Sequence, residues 1–381
     1  MSVQVCDVVG ALELIAPLHL AADWDRVGLL IGEKMGKADS ILLTIDLTEP
    51  VMAEAVRKKI NFIVAYHPPI FAPLDRLTDG TARERMVMEA IRRGMAIYSP
   101  HTALDAVPGG VNDWLGKPFG PGIPGSMQAL EMEQGDPPQR GKVITFVPSE
   151  PPEVAERVRQ AMARAGAGVI GAYEACSFTS PGVGTFKGGA GTHPVVGKRG
   201  RLERVAEVRL EMVVSDLGKG LAKVIAALRE THPYEEPPFD VYALQSRPRM
   251  DTGMGRIIEP DTPLRLDEII PRLKVHLGVD HLRVAPAKPK THRYHRIGVC
   301  AGAGGSMLNT ALAEGCDLFL TGEMRYHDVL EAGTADCTVV LAGHSNTERG
   351  YLKVLRRKLK KHLPQSDISI SRKDGYPLGL Y

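Results

Sequence analysis

Short apolar runs alternate with amphipathic stretches through the first hundred residues of the chain. Buried strands are predicted at 40–45, 61–65 and 96–99, and helices between them at 51–59 and 81–93. Continuously apolar strands separated by helices are typical of a parallel sheet that carries helices on both faces. Residues 1–125 therefore predict one βα half of an α/β domain.

The same alternation resumes after position 250. Six strands are predicted at 256–259, 282–285, 296–300, 317–320, 338–341 and 368–371, and four helices at 264–277, 306–314, 326–332 and 347–361. The stretch between 118 and 138 is rich in Gly and Pro, which predicts a linker. We therefore expect 1–125 and 250–381 to be two halves of one α/β domain with a doubly wound parallel sheet.

Residues 138–246 have a pattern of their own. Strands are predicted at 142–147, 169–178, 204–214 and 239–244, and helices at 152–165 and 217–231, with a Gly-rich excursion at 185–201. The order βαββαβ is that of a ferredoxin-like domain. We therefore predict an inserted ferredoxin-like domain of about 100 residues, a common size for an independent domain.

Composition excludes several classes of protein. The 381 residues carry 47 basic and 45 acidic side chains, a net charge of +2, which gives no bulk attraction to nucleic acid or to an anionic membrane. The basic run at 353–361 lies on a predicted amphipathic helix and is interpreted as a solvated face. No apolar run is long enough to span a bilayer, and the five cysteines include no Cys-x-x-Cys pair. A cytoplasmic protein that binds neither membrane nor nucleic acid is expected.

Histidines and carboxylates follow several predicted strands of the α/β domain. These residues are His67, His101, Asp105, Glu323, His344 and Glu348, and Tyr66 precedes His67 at the first strand end. The carboxyl ends of parallel strands meet at one edge of a sheet, so we expect these groups to converge. His, Asp and Glu together bind divalent zinc, iron or manganese, and a bridging carboxylate suits a two-metal centre. Taken singly, each residue has an ordinary alternative, such as a helix-dipole partner for Glu348 or a turn residue for Asp105 and His101.

Two further motifs are open to two interpretations each. Gly302, Gly304 and Gly305 lie at a strand-to-helix turn, where backbone amides bind phosphate in many proteins, but tight turns also need glycine for steric reasons alone. The motif His-Pro-Tyr-Glu-Glu-Pro at 232–237 closes the inserted unit, either as a ligand patch or as a Pro-bounded turn.

Five motifs in the same order resemble the NIF-three-like dinuclear-metal family, also known as the GTP cyclohydrolase 1 type 2 family. They are Trp24-Asp25, His67-Pro68-Pro69-Ile70-Phe71, His101-Thr102-Ala103-Leu104-Asp105, Thr321-Gly322-Glu323, and Gly343-His344 with Thr347-Glu348. The insert, with Gly182-Val183-Gly184-Thr185-Phe186 and the motif at 232–237, is similar to a CutA/PII-like domain.

The resemblance implies two divalent metal ions, a toroidal homohexamer, and hydrolysis of GTP with release of formate. Its ligand positions correspond to position 66, His67, Asp105, His344 and Glu348, with His101, Glu323 or His327 as proton shuttles and a nucleotide or small phosphorylated compound as ligand. Tyr66 stands where the family has a histidine. One metal position is therefore expected to be weaker, completed by water, or served by His101 or His327. The competing hypothesis is a non-catalytic metal-binding, regulatory or scaffold protein whose insert senses a small molecule.

Overall fold

The computed structural model describes residues 2–120, 127–132, 140–245 and 250–378. Two units form: unit 1 contains 2–120, 127–132 and 250–378, and unit 2 contains 140–245. The domain boundaries predicted at 125, 138 and 246, and most of the predicted linker, lie outside the described residues. Residues 127–132 belong to unit 1, where they pair through a short strand with residues near 253.

The strands, in chain order, are β1 (Gly28–Ile31), β2 (Ser40–Thr44), β3 (Phe62–Ala65), β4 (Ala96–Ser99), β5 (Glu131–Met132), β6 (Gly141–Pro148), β7 (Phe178–Lys187), β8 (Leu202–Val214), β9 (Phe239–Ala243), β10 (Gly253–Met254), β11 (Arg256–Ile258), β12 (Leu264–Arg265), β13 (Arg283–Ala285), β14 (Arg293–Tyr294), β15 (Ile297–Ala303), β16 (Leu318–Glu323), β17 (Thr338–Leu341) and β18 (Asp367–Ile370). The α-helices are α1 (Val5–Ile15), α2 (Glu49–Arg57), α3 (Ala82–Arg92), α4 (His101–Ala106), α5 (Val111–Gly116), α6 (Glu153–Arg164), α7 (Lys219–Thr231), α8 (Leu266–Leu277), α9 (Leu308–Ala313), α10 (Tyr326–Thr334), α11 (Asn346–Arg349) and α12 (Leu352–His362). Short 3-10 turns occur at Leu18–Leu20, Lys117–Phe119 and Gly304–Met307.

The first sheet of unit 1 has the strand order β1-β4-β3-β2-β18. Strands β4, β3, β2 and β18 are parallel, and β1 joins the edge antiparallel to β4. Alternate side chains of β3 pack on opposite faces, Phe62 and Val64 in one cluster and Ile63 and Ala65 in another. Both faces are covered by helices, which is why this strand is apolar throughout.

The second sheet of unit 1 has the order β11-β15-β16-β17-β13. Its central strands β15, β16 and β17 are parallel, while the outer strands β11 and β13 are antiparallel to their neighbours. Val299, Leu320 and Val340 of this sheet share one buried cluster with Ile41 and Phe62 of the first sheet. The two βα halves therefore build a common core, and the mixed α/β fold that the sequence predicts is confirmed.

Three sequence predictions for unit 1 are wrong in detail. The sheets are not wholly parallel, because strands β1, β11 and β13 run antiparallel at the edges. The helix predicted at 347–361 is interrupted at Gly350, where a Cβ would lie 2.2 Å from the Trp114 ring. The helix predicted to start at 264 begins at Leu266, because Leu264 and Arg265 form a two-residue strand with β14.

Unit 2 is a four-stranded antiparallel sheet with the order β7-β8-β6-β9 and two helices, α6 and α7. Val143, Met162, Leu210 and Leu228 belong to its buried core. The strand predicted at 169–178 is wrong: the strand is β7, which contains Pro181 and two glycines. An edge strand accepts proline more readily than a central one, because only one of its sides must donate to a neighbour.

The end of the chain completes the first sheet. Strand β18 pairs with β2, and the Glu54 carboxylate accepts hydrogen bonds from the Ser371 hydroxyl at 2.7 Å and from the Arg372 and Lys373 amides. Burial alone would raise the pKa of Glu54, but its ion pair with Lys58 and these hydrogen bonds lower it to about 2. In the described segments, no helix combines the length and the apolar character that a bilayer span requires.

Candidate metal centre

The predicted side chains of the centre reach it from both sheets of unit 1. Tyr66 and His67 directly follow strand β3, and β4 leads into helix α4 with His101 and Asp105. From the second sheet, β16 ends at Glu323, and β17 leads through His344 into the short helix α11 with Glu348. The two prolines after His67 cannot donate to a sheet, so β3 stops there and its last side chains are held at the strand end.

His67, His344 and Glu348 are brought together. Their candidate ligand atoms lie within 4.8 Å of one another, and each histidine Nε2 is 3.4 Å from a different Glu348 oxygen. These 3.4 Å separations are too long for good hydrogen bonds. His67 Nε2 and Glu348 Oε2 are both buried and lack a hydrogen-bond partner among the described residues. A cation between these atoms would satisfy them, so the residues fit a metal ion.

Each of three imidazoles has a carboxylate on its Nδ1 atom. A carboxylate at Nδ1 fixes the tautomer and directs Nε2 outward, which is the usual arrangement for a histidine that binds a metal. The three pairs are His67 with Asp46 at 2.8 Å, His101 with Asp25 at 2.8 Å, and His344 with Glu323 at 2.9 Å. The structure therefore gives Glu323 a positioning role toward His344.

Asp25 and Asp46 are functional candidates that the sequence prediction did not include. Asp25 is 7% exposed and also accepts hydrogen bonds from the Thr102 amide and hydroxyl, which holds the start of helix α4. Although burial opposes ionisation, the hydrogen bonds with His101 and Thr102 lower the pKa of Asp25. Asp46 follows a predicted strand directly, so the same strand-end reasoning would have found it.

Tyr66 is a hydrogen-bond donor to one of the predicted ligands. Its hydroxyl donates to Asp105 Oδ1 at 2.5 Å, and the tyrosine is 2% exposed. Burial and the Asp105 charge raise the pKa of Tyr66 well above its ordinary value, so the side chain remains a neutral phenol. Direct metal ligation by Tyr66 stays a prediction, and the contact that the structure shows is with Asp105.

Asp105 and Glu348 bring two buried carboxylates into one site. Burial raises the pKa of Asp105 to about 7, the Glu348 charge adds to this, and the Tyr66 hydrogen bond opposes it. Burial acts to lower the pKa of His67, but the neighbouring carboxylates Asp46 and Glu348 outweigh it and raise the pKa to about 10. Two buried carboxylates without a cation are unfavourable, and a bound divalent ion would relieve their repulsion.

Gly302 leaves space beside the predicted ligands. Its φ is +66°, and a Cβ there would lie 2.9 Å from Glu348 Oε1 and 3.2 Å from His344 Nε2. The Gly302 amide donates to the Thr347 hydroxyl at 2.8 Å and the Gly304 amide donates to the Thr321 hydroxyl at 2.9 Å. These two amides are engaged within the protein, so phosphate binding by this turn stays a prediction.

His101 and His327 differ in their placement. The His101 ring lies 5.3 Å from the His67 ring and 5.5 Å from the Tyr66 ring, between centroids. His101 also has a φ of +26°, a backbone conformation that is unfavourable for a residue with a Cβ. His327 is exposed on α10, where its ring contacts Tyr326, so the structure does not bring it into the cluster around His67. Its predicted role stays untested.

The fold and the site together define an α/β protein with a candidate metal centre of His67, His344 and Glu348. The family model of Duf34/NIF3 (NGG1p interacting factor 3) matches residues 3–374. The chain therefore belongs to the Duf34/NIF3 family.

Relatives from bacteria and mammals match over nearly their full length. The GTP cyclohydrolase 1 type 2 homolog of Halalkalibacterium halodurans is 35% identical over 357 residues, which is 93% of this chain and 92% of the relative. NIF3-like protein 1 of Bos taurus is 34% identical over 380 residues, 97% of this chain and 91% of the relative. The crystal structure of a Bacillus cereus protein related to NIF3 is similar with a TM-score of 0.68 at 31% identity, and covers 100% of both chains.

Proposed function

We propose that unit 1 binds two divalent metal ions, zinc, iron or manganese, through His67, Asp105, His344 and Glu348. The observation that carries this proposal is the arrangement of His67 and His344 beside Glu348. A carboxylate binds the Nδ1 atom of each imidazole, and the buried Glu348 Oε2 has no hydrogen-bond partner among the described residues. Glu348 lies between two Nε2 atoms, so it is the carboxylate that two ions would share. His101, with Nδ1 on Asp25, is the imidazole that would complete the second position in place of Tyr66.

The proposed activity is metal-dependent hydrolysis of a nucleotide, in the GTP cyclohydrolase 1 type 2 class. Divalent ions held at this site supply a Lewis acid and acidify water. Asp46 and Glu323 keep the Nδ1 protons of His67 and His344 in place, and the Tyr66 hydroxyl donates to Asp105, which favours the ionised carboxylate. If water rather than His101 completes the second metal position, His101 Nε2 is the atom that would accept and return a proton.

Two clefts beside the centre have sizes that suit a nucleotide. One, of about 390 Å³, includes His67, Arg83 and Lys373 in its wall, and the other, of about 560 Å³, includes Glu323 and Arg325. Volumes between 300 and 1,000 Å³ are usual for small-molecule sites. The basic side chains in both walls favour an anionic substrate, although carboxylates lie there too. Guanine as the base is suggested by the name of the Halalkalibacterium halodurans relative, a GTP cyclohydrolase 1 type 2 homolog.

The remaining proposals concern unit 2, assembly and location. The order of elements in unit 2 and its strand order support a ferredoxin-like, CutA/PII-like domain inserted between the halves of unit 1. We further propose a homohexamer in the cytoplasm, which rests on the family resemblance and on the pattern of scattered cysteines.

A non-catalytic metal-binding or regulatory function is the second candidate. It is favoured by Tyr66, which takes a histidine position and donates to Asp105, and by the engaged amides of Gly302 and Gly304. A phosphate contact at those two amides would require a rearrangement of the turn.

The two candidates separate in one experiment. Metal content is measured by elemental analysis on purified protein, and GTP is then assayed for formate with the native, chelated and metal-reloaded forms. Glu348→Ala is expected to lose metal and formate release, while the exposed Glu331→Ala on α10 retains both. Fully metal-loaded wild-type protein that releases no more formate than Glu348→Ala excludes the GTP cyclohydrolase activity and favours the binding function. Tyr66→His is expected to raise metal stoichiometry or affinity, and unchanged values would mean that position 66 does not face the ions.

A further inference from the structure

Unit 2 contains a cavity that takes no part in the metal centre. Its volume is about 390 Å³, and its wall includes Phe146, Phe186, Val195, Tyr234 and Glu207. The wall is mostly apolar, with aromatic rings at one side: the Phe186 and Tyr234 rings lie 6.4 Å apart between centroids at an angle of 57°. Cavities of this size with a few fixed polar groups bind small organic molecules.

Glu207 on β8 is the buried polar group of this cavity. The residue is 9% exposed, and its Oε1 accepts a hydrogen bond from the Tyr234 hydroxyl at 2.8 Å. Oε2 has no hydrogen-bond donor among the described residues. A Cβ at Gly184, in the cavity wall, would lie 2.1 Å from Oε2, so the carboxylate occupies space that glycine alone provides. Oε2 keeps some access to solvent, so it is a charged acceptor in the cavity wall that is available to a donor on a ligand.

The motif at 232–237 holds Tyr234 in position. The Tyr234 amide donates to His232 Nδ1 at 3.1 Å, and His232 Nε2 donates to the Phe146 carbonyl at 3.0 Å. Both imidazole nitrogens are therefore used, and burial lowers the pKa of His232, which keeps the ring neutral. The two interpretations of this motif are thus compatible, because the Pro-bounded turn forms part of the cavity wall.

The segment from Gly188 to Val196, which contributes to the cavity wall, is hydrogen-bonded to residues on either side of it. The Gly200 amide donates to the Gly188 carbonyl at 2.9 Å, and the His193 amide donates to Glu235 Oε2 at 2.8 Å. The cavity is therefore formed before any ligand arrives, and less ordering free energy is lost on binding.

The charges of the wall determine the sign of the ligand. Glu207, Glu235 and Glu236 contribute three carboxylates, against one ammonium group from Lys187. An anionic ligand would meet repulsion and leave Glu207 Oε2 without a donor. A protonated amine would donate to Oε2, and the aromatic side chains would attract the same positive charge.

We propose that this cavity binds a small organic cation, a protonated primary amine attached to an aromatic or apolar body, with the amine on Glu207 Oε2 and the body against Phe146 and Phe186. The proposal does not rest on the function proposed for unit 1. No covalent step is involved.

The test uses the full-length protein and three probes of similar size. Phenethylamine is the cation, phenethyl alcohol is the neutral analogue, and 3-phenylpropionate is the anion, each titrated by isothermal calorimetry. We expect phenethylamine to bind at least about tenfold more tightly than the alcohol, because a charge-assisted hydrogen bond exceeds a neutral one by at least that factor. Glu207→Gln is expected to remove this preference, while Glu230→Gln, exposed on α7, keeps it. Gln at 207 still accepts from Tyr234, so the variant preserves the wall.

Each outcome has a defined meaning. A preference for the amine that disappears only in Glu207→Gln supports the proposal. Equal binding of amine and alcohol to wild-type protein overturns it and leaves an apolar cavity without charge recognition. Tighter binding of the anion, loss of the preference in both variants, or no binding of any probe at about 10 mM also overturns it. The probe comparison on wild-type protein decides the question even if Glu207→Gln does not fold.

Discussion

Metal binding at the candidate centre should release protons in a number that the structure specifies. His67, with a pKa of about 10, is protonated in the metal-free protein at pH 7, and Asp105, with a pKa of about 7, is half protonated. A metal ligand must give up its proton, so binding of Mn²⁺ at pH 7 is expected to release between about one and two protons from these two groups. The number should be larger at pH 6 and smaller at pH 8, because the fraction of Asp105 that is protonated falls over this range.

The assay is calorimetric titration of metal-free protein with Mn²⁺ in two buffers that differ in protonation enthalpy. The dependence of the observed enthalpy on the buffer gives the number of protons. Tyr66→Phe removes the hydrogen bond that lowers the pKa of Asp105, so its proton release at pH 7 should rise toward about 2. Tyr98→Phe is the matched control, a buried tyrosine whose hydroxyl has no partner among the described residues.

Release of fewer than about 0.5 protons by the wild-type protein at pH 7 would refute this reasoning, because it would mean that His67 is already neutral before metal arrives. The same number in wild-type protein and Tyr66→Phe would refute the role given to Tyr66.

Two further predictions concern stability. Gly302→Ala places a Cβ 2.9 Å from Glu348 Oε1 at positive φ, so we expect weaker metal binding and a loss of about 1–2 kcal/mol in the free energy of unfolding, measured by urea denaturation. Gly333→Ala, inside α10 with open space around it, should instead gain about 0.5–1 kcal/mol. Equal effects at the two positions would contradict the packing argument. The folded-state pKa values of Asp105 (about 7, ordinary value 3.8) and His67 (about 10, ordinary value 6.5) are both raised, so the metal-free folded protein binds more protons than the unfolded chain. Carboxylates with a lowered pKa, such as Glu54 and Asp25, oppose this trend only at acid pH, below about pH 6. Above about pH 6 the stability should therefore fall through Asp105 up to pH 7 and through His67 up to pH 10, by about 1.4 kcal/mol per pH unit for each group. Urea denaturation that shows a rise between about pH 6 and pH 9 would contradict it.

Much of the first sheet could be predicted from the sequence, because its strands are apolar on both faces and are separated by amphipathic helices. Strands β2, β3 and β4 lie within one or two residues of their predicted bounds. The grouping of Glu323 with His344 follows from the rule that strand ends meet at one edge of a sheet, because β16 and β17 are neighbours. His67 comes from the other sheet, and the rule does not specify how two sheets are placed.

The pair that orients His101 could not be predicted in the same way. Asp25 reaches His101 across 76 positions of the chain, and it lies in a loop whose path depends on the antiparallel edge strand β1. Strand β7 was missed because Pro181 and its glycines interrupt the alternation, and the Gly184 contact with Glu207 appears only once β7 and β8 are paired. These features depend on contacts between residues far apart in the chain, which the local pattern of apolar and polar residues does not reveal.

The position of β18 has a consequence for the order of folding. The Glu54 carboxylate contacts residues 317 positions further along the chain, and the loop closed by the pairing of β2 and β18 contains the whole of unit 2. All strands of unit 2 lie between Gly141 and Ala243, so its contacts close much shorter loops. Because loop closure costs entropy before contacts repay it, unit 2 should form early, and unit 1 should be completed only when the last residues are available. During synthesis, β2 would then present an unpaired edge until β18 emerges from the ribosome, which makes that interval the aggregation-prone stage of the protein's folding.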